Sequence, residues 1–218
     1  MELVLIDIFN NVIEGQREAT ESQVKQALEN DITAEAILNQ SLIAGMKEVG
    51  QRFEAGEFYV PEMLVAARAM QAGLNILKPK LIESGIKATG KIVIGTVKGD
   101  LHDIGKNLVG MMLEGSGFEV IDLGTDVTPE KFVKAVREYN PDMIGISALL
   151  TTTMTNMRTT IEALQDSGVR DKVRVILGGA PVTEAYAKEI GADGYADDAS
   201  QAANLAQNLI KGLEKTST

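Results

Sequence analysis

The sequence predicts an α/β protein in two parts: a four-helix bundle in residues 1–88 and a doubly wound sheet of five parallel strands in residues 89–218. In the first part, apolar residues recur every three or four positions, which is the spacing of one helix face. In the second part, short runs rich in β-branched residues alternate with longer helical patterns, as they do in buried parallel sheets. Residues 79–90, between the two patterns, are predicted to be a helix end followed by a linker.

The helices of the first part are predicted from their apolar stripes. One stripe consists of Leu38, Leu42, Met46 and Val49. The next consists of Met63, Leu64, Ala67, Met70, Leu74 and Leu77. Earlier helices are expected near residues 3–13 and 17–29, and Thr33 is predicted to cap the start of the third helix. Four helices with short connections are typical of an antiparallel bundle.

The second part is predicted to alternate strands with helices. Strands are expected at residues 91–97, 119–123, 142–147, 173–177 and 193–196. Helices are expected at residues 104–115, 129–139, 153–167, 183–190 and 200–214. Thr128-Pro129-Glu130 marks one helix start, because it combines a cap, a proline suited to the first turn and an early acid. Open sheets of this kind bind ligands at the carboxyl ends of their strands.

Composition excludes several classes of function. The chain has a net charge of −10, which argues against nucleic acid as a partner, because phosphate binding needs clustered Lys and Arg. No apolar stretch approaches the roughly 20 residues of a membrane span, and no secretory signal is expected at the start. The absence of cysteine excludes disulfides and thiolate metal sites. There is no glycine-rich dinucleotide motif or Walker loop. A cytoplasmic location is expected.

The only histidine, His102, lies where the first predicted strand ends, in the segment Gly99-Asp100-Leu101-His102-Asp103-Ile104-Gly105. A neutral imidazole coordinates a metal through one nitrogen, while a carboxylate commonly orients the ring through the other. Asp100 is placed for that second role, and Asp103 is expected to cap the following helix. Taken alone, a single histidine at a strand end is more often an ordinary surface residue.

Two later features are predicted to share this edge of the sheet. Ser147 and Leu149 end the third predicted strand, which runs on into Thr151 and Thr153. A glycine pair, Gly178-Gly179, ends the fourth, where it would let a flat or bulky ligand approach the backbone closely. Taken singly, each is an ordinary strand end.

The spacing of these pieces resembles the cobalamin-binding fingerprint. Asp100-x-His102-x-x-Gly105 is followed after 41 residues by Ser147-x-Leu149 and after a further 28 by Gly178-Gly179. In addition, Phe53-x-x-Gly56-x-x-Tyr59-Val60-Pro61-x-Met63-Leu64 is similar to the helical cap that precedes this domain in methionine synthase and in corrinoid proteins of methyltransferase systems. The resemblance covers essentially the whole chain and implies a Rossmann-like, flavodoxin-like cobalamin-binding domain behind a helical cap domain.

The resemblance also implies roles for individual residues. His102 would be the lower axial ligand of cobalt, displacing the cofactor's own dimethylbenzimidazole in the base-off, His-on form. Asp100 would hydrogen-bond His102, and the third member of this relay, a serine in methionine synthase, falls at Thr153. The other implied cofactor-binding residues are Leu101, Asp103, Ile104, Gly105, Ser147, Leu149, Thr151, Gly178, Gly179 and Ala180, with the Tyr195-Ala196 strand end. The cap residues implied to cover the methyl-bearing face are Phe53, Val60, Met63 and Leu64, for which ordinary bundle core is the alternative.

The function implied by the resemblance is that of a corrinoid methyl carrier that passes between methylcobalamin and cob(I)alamin. It would take a methyl group through a substrate-specific methyltransferase and pass it to a second methyltransferase that serves tetrahydrofolate, a related pterin or coenzyme M. A reductive activase is a further expected partner. The chain contains no barrel for substrate or folate, so it is not expected to be a complete enzyme by itself.

Three alternatives stay open at this point: the cobalamin subunit of an adenosylcobalamin-dependent mutase, a cobalamin-responsive regulator and a cobalamin storage protein. The sequence does not identify the methyl donor, for which methanol, methylamines, betaines and methoxylated aromatics are all candidates.

Overall fold

The computed structural model describes residues 3–85 and 88–216 of the chain. The chain divides into two compact units. The first comprises Met1–Ala88 with Glu114–Gly117, and the second comprises Thr89–Leu113 with Phe118–Thr218.

The first unit is helical. It contains α1 (Leu3–Ile13), α2 (Arg17–Glu29), α3 (Ala34–Ile37), α4 (Ala44–Glu54) and α5 (Val60–Glu83). A π-helical turn, Leu38–Ile43, joins α3 to α4 without a break, so the described part of this unit forms the four-helix bundle that the sequence predicts. The predicted apolar stripes supply its core, including Leu42, Met46, Val49, Met63, Met70 and Leu77. Thr33 caps α3 as predicted, because its side chain accepts a hydrogen bond from the Ala36 N–H at 3.2 Å.

The last helix of this unit ends within residues 79–90, where a helix end followed by a linker is predicted. Helix α5 runs through Pro79 to Glu83. Pro79 lies on an exposed face, where its ring meets water and the helix loses the hydrogen bond that a proline cannot donate. The helix ends at Ser84, whose hydroxyl donates to the Lys80 carbonyl at 2.8 Å. Positions 86 and 87 of the predicted linker lie outside the described residues.

The second unit is built on a parallel sheet. Its strands are β1 (Lys91–Thr96), β2 (Glu119–Asp122), β3 (Met143–Ser147), β4 (Arg174–Gly178) and β5 (Gly194–Tyr195). They lie in the order β2-β1-β3-β4-β5, with every neighbouring pair parallel. The predicted doubly wound, five-stranded sheet is therefore confirmed, although β5 is shorter than expected.

Five helices accompany the strands in the described part of this unit: α6 (Ile104–Gly115), α7 (Pro129–Tyr139), α8 (Thr151–Asp166), α9 (Glu184–Glu189) and α10 (Ala199–Thr216). One core packs side chains of the strands against α7 and α8, and its members include Val93, Ile144, Val175, Phe132 and Met157. Helix α8 begins at Thr151, earlier than predicted, so Thr151 and Thr153 belong to its first turn.

The strand order creates a crevice at one edge of the sheet. The chain moves from β1 outward to β2 and then returns to the other side of β1 to form β3, so the loops after β1 and β3 diverge between these strands. The register aligns Thr96 with Ser147, and Ser147 with Gly178. The carboxyl ends of β1, β3 and β4 therefore lie side by side in one row. The predicted site residues of this unit lie in this row or in the loops near it.

Candidate functional site

Asp100 is the centre of a hydrogen-bond network at this edge. Its side chain is fully buried, although it lies in the loop directly after β1. One carboxylate oxygen, Oδ1, accepts from His102 Nδ1 at 2.8 Å and from the His102 backbone N–H at 3.0 Å. The other, Oδ2, accepts from the Thr153 hydroxyl at 2.6 Å and from the Leu149 N–H at 2.8 Å, with the Leu150 N–H at 3.4 Å. The carboxylate thus ties the loop after β1 to the start of α8.

The network fixes the ionisation state of Asp100. Burial by itself raises the pKa of this carboxyl, but the hydrogen bonds from Thr153, Leu149 and His102 outweigh it. The pKa of Asp100 is therefore held well below its ordinary value, and the group is an anion at neutral pH.

The state of Asp100 in turn determines the tautomer of His102. A carboxylate can only accept hydrogen bonds, so Nδ1 of the ring must carry a proton where the two groups meet. The lone pair of the neutral imidazole is then on Nε2, which has no hydrogen-bond partner among the described residues. The His102 side chain is 50% exposed, so Nε2 can be reached from outside the fold. This is the arrangement in which a carboxylate prepares an imidazole to bind a metal.

Exposed apolar side chains lie on either side of His102 in its loop and directly after β3. Leu101 is 73% exposed and Ile104 79% exposed, and Leu149 and Leu150 are also exposed across the crevice. Large apolar side chains at loop tips are unfavourable in water unless a ligand or partner covers them. Together with the Nε2 lone pair, they suit a flat, largely apolar ligand that carries a metal.

Gly105 supports the same interpretation. It lies in the first turn of α6, and a Cβ built on it would meet no atom of the protein within 4 Å. Neither packing nor backbone conformation therefore requires glycine here. The open space would let a ligand approach the helix start closely.

We expect the Gly105→Ala variant to fold as well as the wild type but to bind cobalamin more weakly. Alanine favours a helix over glycine by up to about 1 kcal/mol, so urea unfolding of the cobalamin-free variant should show no loss of stability. A methyl group forced into a close contact costs about 1–3 kcal/mol, so titration followed by absorbance should show a cobalamin affinity roughly tenfold lower. Gly212→Ala in α10 is the matched control, because a Cβ there also meets no atom. It should share the gain in helix preference and leave the cobalamin affinity unchanged. Unchanged cobalamin affinity in Gly105→Ala would remove Gly105 from the site.

The glycine pair after β4 has two different explanations. Gly179 has a φ of +125°, and a Cβ there would lie 1.9 Å from the Ala148 carbonyl oxygen, so the fold itself requires glycine. At Gly178 the nearest atom to a Cβ would be the Ala196 carbonyl oxygen, at an ordinary 3.5 Å. Only Gly178 is therefore left to be explained by the approach of a ligand.

The remaining predicted residues of this unit lie along the same edge but outside the network. Asp103 directly precedes α6 and accepts a hydrogen bond from the Asn107 side chain at 3.1 Å. Thr151 and Ala180 are exposed, and Ala196 is buried. The Tyr195 hydroxyl donates to the Asp197 carboxylate, which raises the pKa of Tyr195 to about 12.

The predicted residues of the helical unit differ in exposure. Phe53 ends α4 half-buried, and Val60 begins α5 with its side chain exposed. Leu64 is half-buried, whereas Met63 is fully buried. Exposure therefore favours Val60 as a ligand-facing residue. The burial of Met63 favours the alternative, in which this residue is part of the bundle core.

Three residues that the sequence did not single out belong to the site. The fully buried Thr96 donates its hydroxyl to the His102 carbonyl at 2.9 Å. Leu150 contributes its N–H to Asp100, and its carbonyl lies 3.0 Å from the Thr153 hydroxyl. Asn156 of α8 donates to the Lys98 carbonyl at 2.7 Å. The sequence could have indicated these residues only by their positions, which are near a strand end or about one turn into α8.

Among the described residues, no helix combines the length and apolar character that crossing a membrane requires.

Comparison with protein families gives a consistent result. Two family models match the chain, each described as a B12 binding domain, one over residues 90–204 and the other over residues 5–78. Dimethylamine corrinoid protein 2 of Methanosarcina acetivorans is 44% identical over 212 residues, which are 97% of this chain and 98% of that protein.

Solved structures agree with this result. A cobalamin-binding protein from Desulfitobacterium hafniense DCB-2 superposes with a TM-score of 0.80 at 35% identity, covering 94% of this chain and 98% of that one. A chain of the methanol:cobalamin methyltransferase complex MtaBC from Methanosarcina barkeri superposes with a TM-score of 0.84 at 30% identity, covering 96% of this chain and 80% of that one. Both similarities extend over the two units of the chain.

Proposed function

Because this chain belongs to the family of corrinoid proteins with a B12 binding domain, we propose that it carries a methyl group on the cobalt of a bound cobalamin between two partner methyltransferases. The observation that carries the proposal is the pair formed by buried, ionised Asp100 and half-exposed His102, whose Nε2 lone pair is available at the crevice. Bound cobalamin would supply a cobalt centre that accepts and releases the methyl group.

In this proposal His102 Nε2 would hold the cobalt in place of the cofactor's own base, which is the base-off and His-on form. The row of strand ends and the loops that follow it would hold the displaced dimethylbenzimidazole and its tail. The side chains and glycines proposed to contact the cofactor are Leu101, Asp103, Ile104, Gly105, Ser147, Leu149, Thr151, Gly178, Gly179 and Ala180. The exposed apolar side chains and the open space at Gly105 support this placement.

The three relay residues would hold the metal-binding nitrogen in place. Because Nδ1–H of His102 is donated to Asp100, Nε2 is the nitrogen left to bind cobalt. Thr153 and the Leu149 N–H hold the second oxygen of Asp100 and keep the carboxylate fixed and ionised. Cobalt and a proton would use the same lone pair of Nε2, so binding of one would exclude the other.

The helical unit is proposed to shield the other face of the cofactor, through Phe53, Val60, Met63 and Leu64. An apolar cover excludes water and oxidants from the reactive reduced metal, and it must move aside for methyl transfer. The match of residues 5–78 to a second B12 binding domain model supports a role for this unit in holding the cofactor.

The names of the similar proteins support a partner methyltransferase. One is a dimethylamine corrinoid protein, and another belongs to a methanol:cobalamin methyltransferase complex. We therefore propose a substrate-specific methyltransferase for a small methylated compound as the first partner. The second partner would be a methyltransferase that uses tetrahydrofolate, a related pterin or coenzyme M, with a reductive activase to recover oxidised cofactor, all in the cytoplasm. The similarity favours this function over the adenosylcobalamin mutase alternative.

Methyl transfer from a donor tests the proposal. The purified chain is loaded with cobalamin, reduced to the cobalt(I) form and mixed with dimethylamine or methanol and a candidate partner methyltransferase. We expect the absorbance of the reduced cofactor to be replaced by that of the methylated cofactor only when donor and partner are both present. Free cobalamin at the same concentration is the control and should react far more slowly. No methylation with any partner, together with tight adenosylcobalamin binding, would point instead to a mutase subunit.

A further inference from the structure

The loop after β2 contains an unusual backbone conformation at Asp126, whose φ is +52°. Left-handed backbone is unfavourable for residues other than glycine and is least unfavourable for Asn and Asp. In the described part of the chain, the other such residues are Asp31 and Asn140, and both lie within two residues of a helix end, where a left-handed residue is an ordinary ending. Asp126 follows a strand instead, so its conformation needs a different reason.

Asp126 makes two hydrogen bonds to the backbone of Gly99 and Asp100. Its side-chain oxygen Oδ1 accepts from the Gly99 N–H at 2.7 Å, and its backbone N–H donates to the Asp100 carbonyl at 3.0 Å. One residue thus holds both ends of the Gly99–Asp100 unit, once through its side chain and once through its backbone. Asp126, which makes both bonds, is thus also the residue with the left-handed backbone.

The opposite flank of the loop is held from α8. Thr153 and the Leu149 N–H hold the Asp100 carboxylate, and Asn156 donates to the Lys98 carbonyl. These bonds fix the carboxylate and one carbonyl, but none of them reaches the Gly99 N–H or the Asp100 carbonyl. The Asp100 N–H donates to the Val97 carbonyl at 3.1 Å, and Asp126 holds the Gly99 N–H and the Asp100 carbonyl on either side of it. The direction in which the Asp100 side chain leaves the backbone therefore depends on both contacts.

We propose that Asp126 is a positioning residue of the cobalamin site: it fixes the Gly99–Asp100 backbone and thereby the direction in which Asp100 orients the His102 imidazole. The proposal rests on the proposed function, in which His102 binds cobalt. Asp126 acts through Asp100 and is not itself a ligand of the metal.

Three substitutions of Asp126 separate the contribution of its side-chain acceptor from that of its left-handed backbone. Asp126→Asn keeps an oxygen acceptor and tolerates the left-handed conformation. Asp126→Gly keeps the backbone conformation and the backbone N–H but loses the acceptor. Asp126→Ala loses the acceptor and disfavours the conformation. Asp31→Gly is the matched control, because it makes the same substitution at a left-handed aspartate, φ +59°, in the helical unit. Circular dichroism establishes that each variant is folded.

The first readout is the nitrogen NMR spectrum of His102 in the cobalamin-free protein. The chain has one histidine, so ¹⁵N-histidine labelling reports this ring alone. We expect one narrow pair of ring signals with a protonated Nδ1 in the wild type, Asp126→Asn and Asp31→Gly. Asp126→Gly and Asp126→Ala should show broadened or doubled signals, because the ring then samples more than one orientation.

The second readout is the absorbance spectrum of the cobalamin-loaded variants. Loss of a hydrogen bond to a charged acceptor corresponds to roughly a tenfold change in an equilibrium, so the ratio of His-ligated to unligated cofactor should fall about tenfold in Asp126→Gly. Asp126→Asn should recover most of the wild-type ratio, because its neutral oxygen still accepts from the Gly99 N–H.

Two outcomes would overturn the proposal: wild-type spectra in Asp126→Gly by both readouts, or an Asp126→Asn variant as impaired as Asp126→Gly. If the wild-type protein itself shows no histidine ligation, the proposed function fails. The NMR readout of the cobalamin-free variants still tests Asp126 in that case.

Discussion

Replacing Asp100 by asparagine should lower the free energy of unfolding of the cobalamin-free protein by about 2 kcal/mol, the cost of leaving a buried donor without an acceptor. The carboxylate accepts on both oxygens, from His102 on one side and from Thr153 and Leu149 on the other. An asparagine amide has only one oxygen, and its NH₂ group cannot accept from a backbone N–H. At least one buried donor must therefore lose its partner. The measurement is urea unfolding followed by circular dichroism.

Asp103→Asn is the matched control for this prediction. It removes the same charge from the same loop, but Asp103 is exposed, and its carboxylate accepts a single side-chain hydrogen bond, from Asn107, among the described residues. Its effect should stay within about 0.5 kcal/mol, as for most surface substitutions. Equal losses of stability in the two variants would mean that charge, and not the buried hydrogen bonds, accounts for the effect.

The effect of Asp100→Asn should also depend on pH in a defined direction. Because the pKa of Asp100 is lowered in the folded state, its ionisation stabilises the fold at every pH above the unfolded-state pKa of about 3.9. That contribution is lost as the pH falls below this value toward the folded-state pKa. The difference between wild type and Asp100→Asn should therefore be constant at neutral pH and become smaller below about pH 4.

Most of the fold follows from residue periodicity. The apolar stripes through Met46 and Met70 and the β-branched runs of the sheet are local signals, and the structure places them in helices and strands as predicted. The π-helical turn is different, because nothing in residues 38–43 indicates it. In this turn the buried Ser41 hydroxyl donates to the Leu5 carbonyl of α1, a contact that exists only once the bundle is formed.

The site could be predicted where its residues are close in sequence or lie at strand ends. Asp100 and His102 are two residues apart, and Thr153 was found by counting from Ser147. The N–H donors of Leu149 and Leu150 could not be predicted, since they depend on the direction in which the backbone leaves β3. Asp126 depends on the pairing of the segment after β2 with the end of β1, which brings Val127 beside Val97.

Replacing His102 by glycine should abolish nitrogen ligation of cobalt by the protein. The chain has no other histidine and no cysteine, so no other imidazole or thiolate can take its place. The loaded variant should show the base-off absorbance spectrum without an axial nitrogen. Because His102 is half exposed, added imidazole should enter the vacated position and restore the ligated spectrum. A wild-type spectrum in the variant without imidazole would refute the assignment.

The most direct test of His102 as the cobalt ligand is the identity of the nitrogen bound to cobalt in the wild-type protein. Protein labelled with ¹⁵N-histidine is loaded with unlabelled cobalamin and reduced to the cobalt(II) form, whose unpaired electron couples to the axial nitrogen nucleus. Electron paramagnetic resonance of unlabelled protein should show each cobalt line split into a triplet by ¹⁴N. We predict that the label converts every triplet into a doublet, because His102 is the ligand. A triplet that persists in the labelled protein would show that the cofactor's own base remains bound and would contradict the account.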